Sequence, residues 1–407
     1  MPYLPKLSKL FVAISLASSF QVAAEATDVS KISDEHITVT ATRTARYFME
    51  SPVAISTVSK EDIKRSSSDS IADALRDVPG IQIDDAATPG MKRVSLRGES
   101  SLRVAILIDG QEITDHSTYG APLLLDTSMV ERVEVIRGTS SVLYGGKALG
   151  GVINIITKKG GEEPLQATLS ASYPSATKGH QISGSLFGHL NGLDYRLSYA
   201  NNEHEDRSTP AGDIDNSSFK NDSLSFYLAK EFDQHEIGVN IEQYNLSSEI
   251  ATGMENFFLN MPQRDRTKYS VFYNYDFNSD FIKSLHFDVY KQTIDRNFVQ
   301  RMEMSRPLAP PKSMDINVDT DIQEELATTG FNSQLDFDSF TNHHLILGFQ
   351  YTNDDLNKQT YNKTETIMNN PEAPVAIPPQ ITEVNNLEDA SLSTSAIYLQ
   401  DEWRVND

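Results

Sequence analysis

The sequence predicts two folds in series: a small α/β domain, then an antiparallel transmembrane β-barrel of the roughly 22-stranded type, of which only about ten strands are present. Three observations carry the prediction. Helix-capping signals and short apolar runs bounded by turn residues are confined to residues 36–159. From about Leu165 onward, apolar and polar residues alternate with period two. The connections between these alternating segments are short and long by turns. No internal stretch reaches the roughly 18 apolar residues of a transmembrane helix, so a helical membrane protein is excluded. A β-barrel, whose signal is weaker per segment, is not.

Composition narrows the function classes. Asp and Glu number 57 against 35 Lys and Arg, a formal net charge of −22. That acidity argues against a binder of nucleic acid or of an anionic membrane surface, either of which needs a basic footprint. Cysteine is absent. A disulfide framework, a Cys-ligated zinc or iron–sulfur site and a thiol nucleophile are therefore excluded.

The chain begins with an address. Lys6 and Lys9 precede an apolar run from Leu10 to Phe20, and Val22-Ala23-Ala24 supplies small residues for cleavage. Residues 1–24 thus read as a secretory signal peptide. Residues 25–50 form an arm, acidic and polar from Glu25 to Glu35. Residues 51–160 form the α/β domain. Within it, Ser59-Lys60-Glu61-Asp62 and Ser70-Ile71-Ala72-Asp73 have the pattern of capping boxes. The second opens a helix with the apolar face Ile71, Ala74, Leu75 and Val78, stopped by Pro79-Gly80. Strands are expected at Val104 to Ile108, Val133 to Ile136 and Val152 to Ile156, each bounded by turn residues.

Residues 161–407 form the partial barrel. Tyr269, Val271, Tyr273, Tyr275 and Phe277 alternate with Ser270, Phe272, Asn274 and Asp276; Leu285, Phe287 and Val289 alternate with His286, Asp288 and Tyr290. Strands are expected near 165–174, 181–190, 193–202, 221–230, 235–245, 266–277, 283–294, 327–337, 343–353 and 391–404. Tight turns fall at Leu190 to Gly192, Phe232 to Gln234, Asn278 to Phe281 and Ser339 to Asn342. Long polar loops are expected at about 203–220, 246–265, 295–326 and 354–390. Short turns at one end and long loops at the other distinguish an outer-membrane barrel from a soluble sandwich, which turns tightly at both ends.

Ten strands are too few for what precedes them. An α/β domain of roughly 110 residues is about 25 Å across, whereas a barrel of about eight strands is filled by its own side chains. The expectation is that residues 1–407 are the N-terminal portion of a longer protein.

The ordered motifs of the first 160 residues resemble the TonB-dependent outer-membrane receptors. Glu35, His36, Ile37, Thr38, Val39, Thr40 and Ala41 resemble the TonB box. Val94-Ser95-Leu96-Arg97-Gly98, Ile106-Leu107-Ile108-Asp109-Gly110 and the run from Val130 to Gly138 resemble successive plug-domain motifs. Ser140-Ser141-Val142-Leu143-Tyr144-Gly145 and the run from Gly150 to Thr157 complete the set. The resemblance covers essentially the whole mature chain. It implies that the α/β domain is a plug inside the barrel, and that the partner of the box is TonB with its inner-membrane energising complex. Residues 37–41 alternate and are β-prone, so they can add as a strand to a partner's sheet edge.

The family also implies that Arg97 and Arg137 pair with glutamates on the barrel's inner wall. Glu402 is the candidate, because it shares a face with Gln400 opposite Ile397, Leu399 and Trp403. Such a pair, strong when intact and costly when broken, would latch the plug. Trp403 suits the interfacial aromatic girdle. In the family the ligand rests on the outward plug loops, here about Asp84 to Arg93 and Thr114 to Leu124. Met91, Lys92, Arg93, His116 and Tyr119 supply thioether, cationic and aromatic groups there. Arg and Tyr suit an anionic, aromatic ferric catecholate; haem would want His116 or Tyr119.

No catalytic constellation or metal site is expected, and no cofactor. His343-His344, beside a predicted short turn, reads as surface. The glycines at 98, 110, 138, 145, 146, 150 and 151 match no phosphate-loop pattern and read as turns. The expected function is uptake of a ferric siderophore or similar iron chelate across the outer membrane, gated by pulling on the box. Haem or cobalamin is the alternative, or a remnant without transport activity if the gene ends at residue 407. Outer-membrane lipid is a further expected partner, and bacteriocins or phage could dock on the long loops.

Overall fold

The computed structural model describes residues 54–66, 68, 70–84, 92–115, 123–138, 144–338, 343–372, 375 and 377–403, with the backbone of 38–39 and 46–47. Those last two pairs form a minimal hairpin. β1 (Thr38–Val39) runs antiparallel to β2 (Arg46–Tyr47), with Thr38 opposite Tyr47 and Val39 opposite Arg46.

The α/β domain then follows as β3 (Ile55–Ser59), α1 (Lys60–Ser66), α2 (Ile71–Ala74), β4 (Ile81–Asp84) and β5 (Arg93–Leu96). It continues with β6 (Val104–Ile108), β7 (Gln111–Glu112), β8 (Val130–Arg137) and β9 (Gly151–Thr157). Both capping motifs form. Ser59 Oγ accepts from the Asp62 N–H at 3.2 Å while the Ser59 N–H donates to the Asp62 carboxylate at 3.2 Å, and α1 starts there. Ser70 Oγ accepts from the Asp73 N–H at 3.2 Å and starts α2. α2 is only four residues long. Beyond Ala74 the chain tightens into turns, with the Val78 N–H bonded back to Leu75 O, but Ile71, Leu75 and Val78 are still buried as the periodicity requires.

The main sheet of this domain has the order β3-β8-β9-β6-β7, with β6 parallel to β9 and the other neighbours antiparallel. All five residues of β6 are buried, as a strand covered on both faces must be. Gly151 marks the tightest approach: φ is +142°, and an added Cβ would stand 2.2 Å from Ile136 O on the neighbouring strand. A close backbone approach, rather than a phosphate cradle, is what this glycine provides.

The second unit is one antiparallel meander of ten strands. It opens with β10 (Gln166–Ser172), β11 (His180–Leu190) and β12 (Leu193–His204). A small hairpin of β13 (Arg207–Thr209) and β14 (Gly212–Ile214) interrupts it. It resumes with β15 (Phe219–Phe232), β16 (His235–Ile250), β17 (Phe257–Asp276) and β18 (Ile282–Pro307). It ends with β19 (Ser313–Asp338), β20 (His343–Asn369) and β21 (Gln380–Trp403). All ten expected strands are present in order, and β10 and β21 are the two edges of the sheet. Asn191 (φ 51°) and Gly192 (φ 72°) make the tight β11–β12 turn, both with the positive φ of a type I′ hairpin. The Ser339 to Asn342 turn lies outside the described residues.

The long loops need correction. Three of them are largely strand. β16 and β17 extend to Ile250 and from Phe257, β18 and β19 to Pro307 and from Ser313, and β20 and β21 to Asn369 and from Gln380. Pairing continues residue by residue there, for example Asp319 opposite Lys363 and Asn317 opposite Glu365. In the β18–β19 extension one face stays apolar, with Met302 opposite Val318 and Met304 opposite Ile316, so alternation and hydrogen-bonded ladder both run on past the expected strand ends.

Side chains sort by face. Val239, Val271, Val289, Phe331 and Tyr351 form one cross-strand row on the more exposed face, with Val271 49% exposed. Two residues toward the long-hairpin end, the same face carries Tyr269, Lys291, Thr329 and Asn353, so the apolar band ends there. The other face is polar and buried, with Lys268, Ser270, Asp288, Gln292 and Thr328 on it. Against that face sits the α/β domain, whose apolar core runs on into Phe219, Tyr244, Leu246, Met261 and Ile294 of the meander.

Candidate functional site

The site is the seam where the α/β domain meets the polar face of the meander. A strap of five residues, 111–115, makes most of it. Gln111 Nε2 donates to Asp288 Oδ1 at 2.8 Å, and Asp288 also receives Asn332 Nδ2 at 3.1 Å. Thr114 Oγ1 lies 2.7 Å from Thr328 Oγ1 and 3.3 Å from Asp354 Oδ1. Asp115 is ion-paired with Arg264, and both are almost fully buried. These residues follow the Asp109-Gly110 turn, which reverses β6 into β7 and aims the strap at the wall.

β17 also holds the chain at residue 124. Arg266 Nη1 donates to Leu124 O at 3.5 Å, so Arg264 and Arg266, two residues apart on one strand face, grip the chain at 115 and at 124. Arg266 is itself fixed by Gln292 Oε1 and by Glu242 Oε2, each at 2.8 Å. Lys268 Nζ stands 3.7 Å from the other oxygen of Glu242. Arg264, Arg266 and Lys268 are among the largest fully buried side chains. Three cations at period two therefore line this wall, matched by Glu242 and Asp115. A further contact, Asn202 Nδ2 to Asp126 Oδ2 at 2.8 Å, anchors the chain at residue 126.

At the short-turn end a cavity of about 1000 Å³ separates the domain from the wall. Asp109, Asn154, Lys158 and Arg196 face Asn274, His286, Gln334 and Tyr398 across it. The Thr157 N–H and hydroxyl both donate to the Asp109 carboxylate, at 2.9 and 2.6 Å. Burial, with Arg196 nearby, pushes the Lys158 ammonium below the usual lysine range.

The residues singled out by sequence are distributed unevenly. Of Glu35 to Ala41, only the Thr38–Val39 backbone is described, as β1 paired to β2. Met91, His116 and Tyr119 lie outside the described residues. Arg93 is buried in β5 opposite Asp84. Lys92 turns back to α2, 2.7 Å from Asp73. Arg97 has φ 53°, and its N–H donates to Gly80 O at 2.7 Å. The Arg137 N–H donates to Ala54 O at 3.0 Å, and its Nε is buried without an acceptor. Glu402 accepts from Gln400 Nε2 at 2.6 Å, on the same face of β21 as the buried Tyr398. Among the described residues Arg97, Arg137 and Glu402 form no ion pair with one another. His343 and His344 contact Asp401 and Asp338, each at 3.0 Å, beside the short turn.

Sequence reasoning missed Asp115, Glu242 and the β17 cations. A signal was present: Arg264, Arg266 and Lys268 continue the phase of Ser270 and Asn274, opposite the phase of Tyr269 and Val271.

Comparison with known proteins places these features. Residues 48–152 match the TonB-dependent receptor plug domain family. The chain is similar to the iron-regulated outer membrane virulence protein of Vibrio cholerae, 36% identical over 160 residues, 37% of this chain and 24% of that protein. It is also similar to the hemin receptor of Yersinia enterocolitica, 30% identical over 201 residues, 46% of this chain and 29% of that protein. The matches thus span about a quarter to a third of the length of these relatives. Among solved structures, the Serratia marcescens hemophore receptor HasR, in complex with hemophore and heme, superposes with a TM-score of 0.56. The identity is 15%, covering 87% of this chain and 61% of that one, so this likeness concerns the fold.

Proposed function

We propose that this chain, a member of the TonB-dependent outer-membrane receptors, belongs to an active-uptake receptor for an iron chelate. The observation that carries the reading is the seam itself. A separately folded α/β domain is held against the polar face of a sheet whose other face is apolar, and much of the holding is done by hydrogen bonds and buried ion pairs. Such contacts fix position by geometry and can be exchanged for others of the same kind.

In this reading residues 1–24 are the signal peptide, 25–50 the periplasmic arm, 51–160 the plug and 161–407 part of the barrel. The box is Glu35 to Ala41. TonB would take Thr38–Val39 as an added strand, and β2 already occupies one edge of that segment, so the partner takes the other edge or displaces β2. Tension on the arm then reaches β3, the first strand of the plug sheet, directly through the chain. Arg137, with an unsatisfied buried Nε, is the latch cation best placed to take a wall carboxylate; Arg97 and Glu402 are its companions in that proposal.

Deleting residues 36–41 tests the mechanism. Iron uptake should stop while chelate binding to the cells is unchanged; uptake that survives the deletion excludes TonB-driven gating through this segment. Haem is the second reading, supported by the hemin receptor among the relatives. Growth on haem as sole iron source separates the two.

A further inference from the structure

Half of the ten methionines of the chain stand at the long-hairpin end of the meander. Met254 lies in the β16–β17 turn, Met302 and Met304 near the end of β18, Met314 at the start of β19 and Met368 at the end of β20. Register places three of them together. Met314 is directly opposite Met368. Met304 is opposite Ile316, two residues from Met314, and is therefore diagonal to Met314. Opposite residues have Cβ atoms about 4.5–5.5 Å apart and diagonal ones about 7–8 Å, within reach of side chains as long and flexible as Met. Met302 follows one step down β18 in the same phase. That phase is also the phase of Phe298, which packs on the apolar core of the α/β domain.

The donor chemistry of this face is selective. Directly opposite these methionines, or two residues along the strand, stand Phe257, Gln300, Ile316, Val318 and Thr366, with Arg306 as the one charge. Glu303, Asp315 and Glu365 fall on the other phase. Hard and borderline ions need carboxylate or imidazole ligands. Among the described residues, no group of three His, Cys, Asp or Glu is arranged to hold a metal ion. A thioether is a soft donor and selects Cu(I) instead. The apolar flank keeps water from the sulfurs, which favours a singly charged ion over a divalent one. Arg306, opposite Met314, opposes any cation, but it is exposed near the end of its strand, where salt screens its charge.

We propose that Met304, Met314 and Met368 form a thioether site for a soft monovalent metal ion, Cu(I). Met304 and Met368 are 41% and 38% exposed, which leaves the ion a way in. The site stands apart from the receptor reading above, since it needs neither a chelate nor TonB.

Leucine keeps the volume and apolar character of methionine and removes only the sulfur, so it separates a metal site from an apolar surface. The test uses the receptor purified from outer membranes in detergent. Ag(I), a redox-inert probe, is titrated calorimetrically in chloride-free buffer; Cu(I), kept reduced with ascorbate, is measured by competition with a chromogenic Cu(I) chelator. The wild type should bind both ions, with Zn(II) unable to displace them. The triple variant Met304→Leu/Met314→Leu/Met368→Leu should bind at least about tenfold more weakly. Arg306→Gln should tighten binding by up to about fivefold. Heat-modifiable mobility reports folding, and if the triple variant does not fold, Met314→Leu decides by the same comparison. A folded leucine variant with Ag(I) affinity within about twofold of wild type would overturn the site and leave the row an apolar surface only. So would a wild type that binds no Ag(I), or one from which Zn(II) displaces it.

Discussion

Replacing Glu242 by alanine probes how the charged wall of β16 and β17 is stabilised. The side chain is 2% exposed and has three partners: Arg266 at 2.8 Å, Asn240 at 2.7 Å and Lys268 at 3.7 Å. Truncation leaves Arg266 with two neutral acceptors, Gln292 Oε1 and Leu124 O. Lys268 loses its only ion pair among the described residues while remaining 2% exposed. Breaking a buried pair by removing one member costs about 3–5 kcal/mol. The acceptors retained by Arg266 argue for the lower half of that range, a change of roughly 150- to 1000-fold in the folded-to-unfolded ratio. The contrast is Glu388→Ala. Glu388 also forms an ion pair, with Lys358 at 3.1 Å, but it is 58% exposed. Removing that partner should cost under about 1 kcal/mol. Urea unfolding in lipid vesicles, followed by β-sheet circular dichroism, compares the two directly. If the Glu242→Ala midpoint moves no further than the Glu388→Ala midpoint, the burial argument for this wall is wrong.

Two shorter predictions bear on the plug and on the lipid-facing side. Burial would raise the Asp73 carboxyl, but Lys92, Ser70 and Arg76 outweigh it and hold the pKa below the ordinary carboxylate value. A depressed folded pKa means stability that is present above the unfolded value of about 3.9 and lost as pH falls through the lower folded value. Asp73→Asn should therefore reduce hydrogen-exchange protection of the α2 amides by about 1 kcal/mol near neutral pH, with the difference from wild type closing in acid; a difference independent of pH would count against the linkage. Val271→Arg places a charge in the middle of the exposed apolar row and should cost about 2–4 kcal/mol in vesicles. Thr267→Arg, on the same face of β17 but beyond the end of the band, should cost far less, and equal costs would contradict the placement of that band.

How much of this was legible in the sequence follows from which forces leave a period. The ten meander strands were legible because lipid on one side and a polar interior on the other impose strict alternation on each of them. The short turns were legible because Asn191-Gly192 is the chemistry a type I′ turn requires. The extensions to Pro307 and Asn369 were not. Past the exposed apolar band these segments are rich in Asp, Asn, Glu and Thr, the composition of a loop, although Asp319 pairs with Lys363 and Asn317 with Glu365, and Ile316 and Val318 still alternate with them. The helix after Ser70 was legible in its start and its buried face but not in its length, since the turns that end it still keep Leu75 and Val78 inside.

The site was less legible for a different reason. A charge on the inner phase of a barrel strand is the expected background, so Arg264, Arg266 and Lys268 look like any solvated wall until something covers them. What covers them is 149 residues away in sequence for the Asp115–Arg264 pair and 142 for Leu124–Arg266. No local pattern encodes contacts of that range. The motif residues Asp109 and Gly110, by contrast, were conspicuous, and the structure gives their role: the turn they make directs the strap at 111–115 toward β17, β18 and β19. The recognisable motif therefore sits on the structural element, and the charge chemistry sits on the anonymous residues that this element delivers to the wall. That division explains why Arg97 and Arg137, each beside a motif glycine, drew attention while Arg264 did not.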